Sequence, residues 1–291
     1  MHINFCRAVD SYVGPFFCRI LLLLKRFGGF INPGQGTDFS KTPKKIILIK
    51  FWGMGTILLA SPSVRGIKKK YPSAKITLLT LSENKELCSI LNSFDKRLYL
   101  DISNPVKFIL GYLQILYSIR REHYDTVIDL EFITNFSAMT TLLITVFSET
   151  RQIIGFNSPV RWRNAVYFHN VSFDHSRHIS MIFAKMFAIL SEDLNSNETE
   201  KDQEELIQAA DISVFQNNIE LNESSKNFAR LICVNVNAGA MSHLRRWPKE
   251  NFTHIIKHLV KNVDVCVALI GSRGDLSYTQ EFHQQLPRGS S

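Results

Sequence analysis

The sequence has no unbroken apolar run of the roughly 20 residues that a helix needs to cross a bilayer core. Its most apolar stretch, YVGPFFCRILLLLKRF (12–27), is interrupted by Gly14, Pro15 and Arg19. No small-residue cleavage site follows it, so neither a spanning helix nor a removable leader is expected. None of the five cysteines (Cys6, Cys18, Cys88, Cys233 and Cys266) stands in C-x-x-C spacing, which excludes the common zinc and dithiol motifs. An odd count without a disulfide framework points to a reducing compartment, the cytoplasm. Cys233 and Cys266 lie inside apolar runs and read as buried small hydrophobes. There is no RNP-type aromatic strand and no dense basic helix, so nucleic acid is not expected as a partner. A dinucleotide fingerprint is absent, because Leu58 stands where its third glycine belongs, and no G-K-[ST] completes a P-loop.

What is present is a globular composition. Of 291 residues, 45% are hydrophobic and 21% charged, enough for one large domain or two smaller ones. The formal net charge of +8 favours anionic partners, namely acidic lipid headgroups or phosphorylated small molecules. The 12–27 stretch ends with Lys25 and Arg26 before Phe27, which suits a segment lying on an anionic membrane face. It equally suits a helix packed on the protein's own core, and apolar periodicity does not separate the two.

From Lys44 onward strands and helices alternate. KKIILIKF, KITLLTL, KRLYLD, DTVIDLEF and RQIIGF read as strands. Between them TILLASPSVRGIKKKY, the capped SENKELCSIL, PVKFILGYLQILYSIRREH with Pro105 at its start, and FSAMTTLLITVFS read as helices. This alternation predicts a parallel sheet covered on both faces, with ligands beyond the carboxyl ends of the strands, at Lys50 to Thr56, Leu81 to Glu83, Asp129 to Phe132 and from Gly155 onward. Residues 192–223 are polar and read as a connection between domains. Afterwards LICVNVNAG, PKENFTHIIKHLV, DVCVALIGS and DLSYTQEFHQQL restart the rhythm. The predicted organisation is an apolar and basic segment over 1–40, a Rossmann-like acceptor domain over 41–222, and a partial Rossmann-like donor domain over 223–291. With two strands where a doubly wound domain has five or six, the second domain is expected to be incomplete and loosely held.

Four motifs stand at strand ends. In FWGMGT, Gly53, Met54 and Gly55 precede Thr56; the glycines serve either a tight turn or a backbone that approaches a ligand's anion or hydroxyl. In DLEF, Glu131 ends an apolar strand. Its carboxylate is expected to face the ligand crevice as a general base, or else to serve as a cap or salt-bridge partner. In AGAMSHLRRWPKENF, Arg245 and Arg246 precede Trp247 and a helix starting at Pro248. This is either a phosphate site or a pair of solvated arginines beside a core tryptophan. In IGSRGD, Gly271 and Ser272 lead to Asp275, which either accepts from a ribose or caps a helix.

The run IILIKFWGMGTILLASPSVRGIKKKYPSAKITLL, with Pro62 and Pro72, resembles the opening of the bacterial lipopolysaccharide heptosyltransferases, glycosyltransferase family 9. RRWPKENFTHII resembles that family's K-R-W-P-x-x-x-[FW] segment, with Arg245 at the position that contacts donor phosphate. IGSRGD resembles the segment holding the donor nucleoside. The resemblance implies a GT-B-like α/β fold of two Rossmann-like domains with parallel sheets facing a cleft. It also implies no metal or cofactor, and inverting transfer of a heptose or similar sugar from a nucleotide-sugar, ADP-heptose, to a lipid-linked glycan acceptor at the cytoplasmic face of the inner membrane. Two departures stand out. Thr56 takes the place of the aspartate that is the base in many members, and no D-x-G-x-x-H segment follows Ser272. A threonine hydroxyl is too weak an acid to be a resting base, so Glu131 is the expected base. The alternative is a non-catalytic relative that keeps the fold without efficient transfer.

Overall fold

The structure, a computed structural model, describes residues 10–11, 14–27, 42–132, 134–148, 150–190, 229–238, 246–262 and 264–286. The chain divides into two compact units, Met1–Val214 and Phe215–Ser291.

In the first unit, helix α1 (Gly14–Phe27) is followed by β1 (Lys45–Ile49), α2 (Met54–Lys70), β2 (Lys75–Leu81), α3 (Lys85–Ile90), β3 (Lys96–Leu100), α4 (Pro105–Glu122), β4 (Thr126–Asp129), α5 (Asn135–Phe147), β5 (Gln152–Phe156), α6 (Arg161–Asn164), β6 (His169–Val171) and α7 (Ile179–Ala188). The strands form one parallel sheet in the order β3-β2-β1-β4-β5-β6. Burial on both faces explains why β1 reads KIILI without alternation. Ile46 and Leu48 pack with Ile57, Ala60 and Val64 of α2 and with Phe183 and Met186 of α7. Ile47 and Ile49 pack on the other face with Ile115 and Ile119 of α4 and with Ala138 and Leu142 of α5. The strand order reverses between β1 and β4, and in such sheets the crevice beyond those two carboxyl ends is the ligand position. Lys50–Thr56 and Leu130–Phe132 lie there, and Leu130 N donates to Ile49 O at 3.0 Å.

Helix α4 starts as its sequence predicts. Asn104 accepts from Val106 N at 2.8 Å, Pro105 occupies the first turn, and the helix ends on His123 in the left-handed region (φ 54°). The predicted cap at Ser82 is absent. Ser82–Asn84 is a short 3-10 turn, and Asn84, at the N-cap of α3, makes no side-chain cap bond. Its amide is turned to the Phe51 carbonyl and Thr80 Oγ1 instead, because those acceptors are buried and need a donor. The short strand β6 and helices α6 and α7 carried no sequence prediction; β6 is a three-residue edge strand whose HNV has no apolar signal.

Within the 1–40 segment, α1 packs on α5. Gly14 is buried, and a Cβ there would come within 2.8 Å of Asn135 Cβ. Cys18 is fully enclosed, and burial lifts its thiol to about 12, which makes it an inert packing group. The opposite side of α1 exposes Phe16, Phe17, Ile20 and Leu23. Among the described residues no helix is long and apolar enough to cross a membrane.

The second unit has β7 (Arg230–Asn235), α8 (Lys249–Asn262), β8 (Val265–Ile270) and α9 (Leu276–Gln285), with β7 and β8 paired in parallel. Val236, Ile256 and Phe282 form its buried centre. Cys233 is exposed and Cys266 half-buried, which corrects the expectation that both are buried. The physical reason is that alternate side chains of β7 have no layer over them among the described residues. The predicted connection over 192–223 and Arg245 lie outside the described residues.

Candidate functional site

The glycine loop at the end of β1 is where backbone, charge and burial converge. Gly53 sits at φ 86°, a region that side chains disfavour, and starts α2. Thr56 N donates to Gly53 O at 3.0 Å, and Thr56 Oγ1 donates to the same carbonyl at 2.6 Å. A Cβ on Gly53 would come within 2.8 Å of that hydroxyl, so lack of space as well as its φ disfavours a side chain there. Gly53, Met54 and Gly55 are exposed, whereas Phe51 is buried against Phe136 at 4.9 Å between ring centroids. The loop therefore has a fixed root and an open crest.

Glu131 holds the root. Its Oε1 accepts from Phe51 N at 2.9 Å and Trp52 N at 2.7 Å, and its Oε2 pairs with Lys50 Nζ at 2.9 Å. Sequence reasoning expected this carboxylate to face the crevice. It is instead 4% exposed and turned onto the loop, because two strand-end amides and a buried ammonium lie within reach. Burial pushes the Glu131 carboxyl above its ordinary range, with the Lys50 ammonium and the Trp52 amide opposing. The Lys50 ammonium also lies 5.7 Å from the centre of the Phe132 ring.

A second buried layer supports Glu131. Asp129 accepts from Glu131 N at 2.9 Å and from the Tyr167 hydroxyl at 2.7 Å. Arg163, 2% exposed, donates through Nη2 to the Glu131 carbonyl at 2.8 Å. Burial pushes Asp129 upward, and the Arg163 guanidinium and the Tyr167 hydroxyl work against that. The Tyr167 ring reaches this place only because residue 155 is glycine; a Cβ there would collide with it. Lys50 and Asp129 fall in the strand-end stretches expected beside a ligand, whereas Asn84, Arg163 and Tyr167 were not singled out from the sequence. The signal for Lys50 and Asp129 was available, since a charged residue ending an apolar strand needs a partner. Arg163 and Tyr167 gave none, because only the fold brings them to β4.

In the second unit, Ser272 and Asp275 meet. Asp275 Oδ2 accepts from Ser272 Oγ at 2.6 Å and from Ser272 N at 3.3 Å. Asp275 precedes α9 but makes no side-chain cap bond to it. Arg246 lies 3.9 Å from Asp275 Oδ1, and its guanidinium lies over the Tyr278 ring at 4.0 Å. Lys249 shares that ring at 4.4 Å and pairs with Glu281 at 2.8 Å. Gly271 is exposed beside this cluster, and Trp247 meets Phe252 edge-on at 4.9 Å. The cluster gathers two cations, each paired with a carboxylate, and a serine hydroxyl around one aromatic ring, which supplies both donors and acceptors for a hydroxyl-bearing ligand.

The sequence profile of glycosyltransferase family 9 (heptosyltransferase) matches residues 113–290, more than half of the chain. The fold is similar to that of the E. coli heptosyltransferase WaaC solved with ADP-2-deoxy-2-fluoro heptose, at 13% identity and a TM-score of 0.59, covering 83% of this chain and 74% of that one. It is similar to the E. coli ADP-heptose lps heptosyltransferase II at 16% identity and a TM-score of 0.55, covering 84% and 69%. It is also similar to a family 9 glycosyl transferase from Veillonella parvula at 18% identity and a TM-score of 0.57, covering 84% and 66%. At these identities the likeness establishes the α/β, GT-B-like fold. No curated protein matches the chain in sequence. On the strength of the profile match, the chain belongs to glycosyltransferase family 9, the heptosyltransferase family.

Proposed function

We propose that this protein transfers a heptose or similar sugar from a nucleotide-sugar, ADP-heptose, to a lipopolysaccharide or related lipid-linked acceptor, with inversion and without a cofactor. The observation that carries the reading is the open-crested glycine loop, pinned by Glu131 at the switch point of a sheet that belongs to this family. In the proposed reaction the acceptor oxygen attacks the anomeric carbon as the bond from that carbon to the diphosphate breaks. The nucleoside diphosphate leaves with the bonding pair, and the acceptor's proton passes to a base.

The exposed crest at Gly53, Met54 and Gly55 is proposed to receive substrate, with Thr56 fixing its first turn. Arg245, Arg246, Gly271, Ser272 and Asp275 are proposed to hold the donor, the guanidinium groups on phosphate and Asp275 on hydroxyls. Glu131 has two proposed roles. Its observed contacts favour a positioning residue that shapes the loop. Its upward-shifted carboxyl favours the base, which requires Oε2 to leave Lys50 for the acceptor hydroxyl. The helix α1 is proposed to bring the enzyme to the cytoplasmic face of the inner membrane, where a lipid-linked acceptor resides.

The test is ADP release from ADP-heptose with a lipid-linked core acceptor, measured against pH for the wild type and Glu131→Gln. Loss of turnover at nearly unchanged substrate binding, with the acid limb of the pH profile removed, identifies the base. A raised KM with an unchanged profile identifies the positioning role. Donor binding without any ADP release by the wild type supports the non-catalytic relative, a reading favoured by Thr56 and by the full engagement of Glu131.

A further inference from the structure

Helix α4 carries an apolar stripe that none of the described residues of the first unit covers. Val106, Ile109, Leu110, Leu113 and Tyr117 are each between 56% and 64% exposed. At about 100° per residue they fall within one sector of the helix over about three turns. The buried side of the same helix is made by Tyr112, Ile115 and Ile119, so the helix is apolar on two opposite faces. A surface helix of a globular protein needs only the second of these.

The residues around the stripe are cationic. Lys107, Arg120 and Arg121 are exposed, and Arg121 lies 6.0 Å from the centre of the Tyr117 ring. The one acid of the helix, Glu122, is turned to Lys45 and Lys96 instead. Helix α1 repeats the design with Phe16, Phe17, Ile20 and Leu23 exposed beside Arg19, and both helices pack on α5.

We infer that the outer face of α4 is a docking surface for an anionic phospholipid bilayer, which inserts the stripe and neutralises the cations. This rests on the membrane-surface reading proposed above and extends it from α1 to a second helix. An apolar sector flanked by Lys and Arg is the make-up of a helix lying in a bilayer interface. Charge also decides against a second copy of the chain. Antiparallel pairing of two α4 stripes would set Lys107 of each against Arg120 and Arg121 of the other, a like-charge contact. Tyrosine suits the headgroup level, where its ring is apolar and its hydroxyl stays wet.

The experiment is flotation of the full chain with vesicles of phosphatidylcholine containing phosphatidylglycerol, and with phosphatidylcholine alone. Wild type, Leu110→Glu/Leu113→Glu and Phe16→Glu/Ile20→Glu are compared, with thermal melts confirming that each is folded. The α4 sites are exposed, so the first double variant is expected to melt like the wild type. A second α4 variant, Arg120→Gln/Arg121→Gln, keeps the apolar stripe intact. The expected result is binding to the anionic vesicles only, at least about tenfold weaker for the α4 leucine variant and weaker at high salt. Wild-type binding by both α4 variants, with loss in the α1 variant, overturns the α4 inference and leaves the membrane reading standing. No vesicle binding by the wild type overturns both. Equal binding to neutral vesicles, or a wild-type dimer that the leucine variant dissociates, overturns the assignment of an anionic bilayer as occupant.

Discussion

The strands KIILI (Lys45–Ile49) and RLICVN (Arg230–Asn235) are of the same chemical kind, yet Ile46 through Ile49 are fully buried while Leu231 and Cys233 are exposed. Strand β1 has a neighbour on each side and helices on both faces, whereas β7 has one neighbour among the described residues, β8. An apolar strand states a demand for cover, and only its surroundings meet it. The same contrast runs through the charges. The Lys50–Glu131 pair is almost wholly enclosed, while Lys249–Glu281 leaves its carboxylate largely in water.

Lys50→Met leaves the Glu131 carboxylate buried without its cation and is expected to cost about 3–5 kcal/mol in urea unfolding. Lys249→Met, the matched change in the second unit, is expected to cost less than about 1 kcal/mol. Comparable losses would erase the distinction between the units. Native-state hydrogen exchange reads the same contrast without mutation. The β1 and β4 amides are expected to exchange only by global opening, and the β7 and β8 amides well before them.

Function is expected to divide differently from stability. Arg245→Ala, in the second unit, should leave the melting temperature of the first unit unchanged. It should raise donor KM or lower kcat by about 1.5–3 kcal/mol, the worth of one charged hydrogen bond. Unchanged kinetics would mark Arg245 as solvated and move the test to Arg246.

The smallest effect concerns Glu122, which bonds to Lys96 and Lys45 and is thereby held below the ordinary carboxylate range. A lowered folded pKa contributes stability that is present above the unfolded pKa and is lost as pH falls through the folded one. Both lysines and Glu122 are more than a third exposed, so the contribution is below about 1 kcal/mol. Glu122→Gln should flatten the acid limb of the unfolding curve by that much, and no change there would mark the pairs as inert.

Much of the first unit was legible. Continuous apolar runs between turn residues gave β1 to β5, Pro105 gave the start of α4, and Lys50–Thr56 and Glu131 were expected at strand ends, while the reversal of the sheet between β1 and β4 is visible only in the fold. Strand β6 was not legible, because HNV is short and half-exposed at the sheet's edge. The orientation of Glu131 was not legible either. Whether a strand-end carboxylate faces water or the backbone depends on Lys50 and on the Phe51 and Trp52 amides, which are distant from it in sequence. The exposure of Cys233 was missed for the reason given by the two strands: its run is apolar, but its cover is not part of the run.

The most direct test of the central claim, that the loop pinned by Glu131 is the working centre of a nucleotide-sugar transferase, is the rate of ADP release from ADP-heptose with a lipid-linked core acceptor. The wild type is predicted to release ADP in an acceptor-dependent way, and Glu131→Gln, compared under conditions where a melt shows it folded because it leaves Lys50 buried without its anion, to lose that rate by on the order of a hundredfold or more. Near wild-type release by Glu131→Gln would show that the pinned loop is not the working centre.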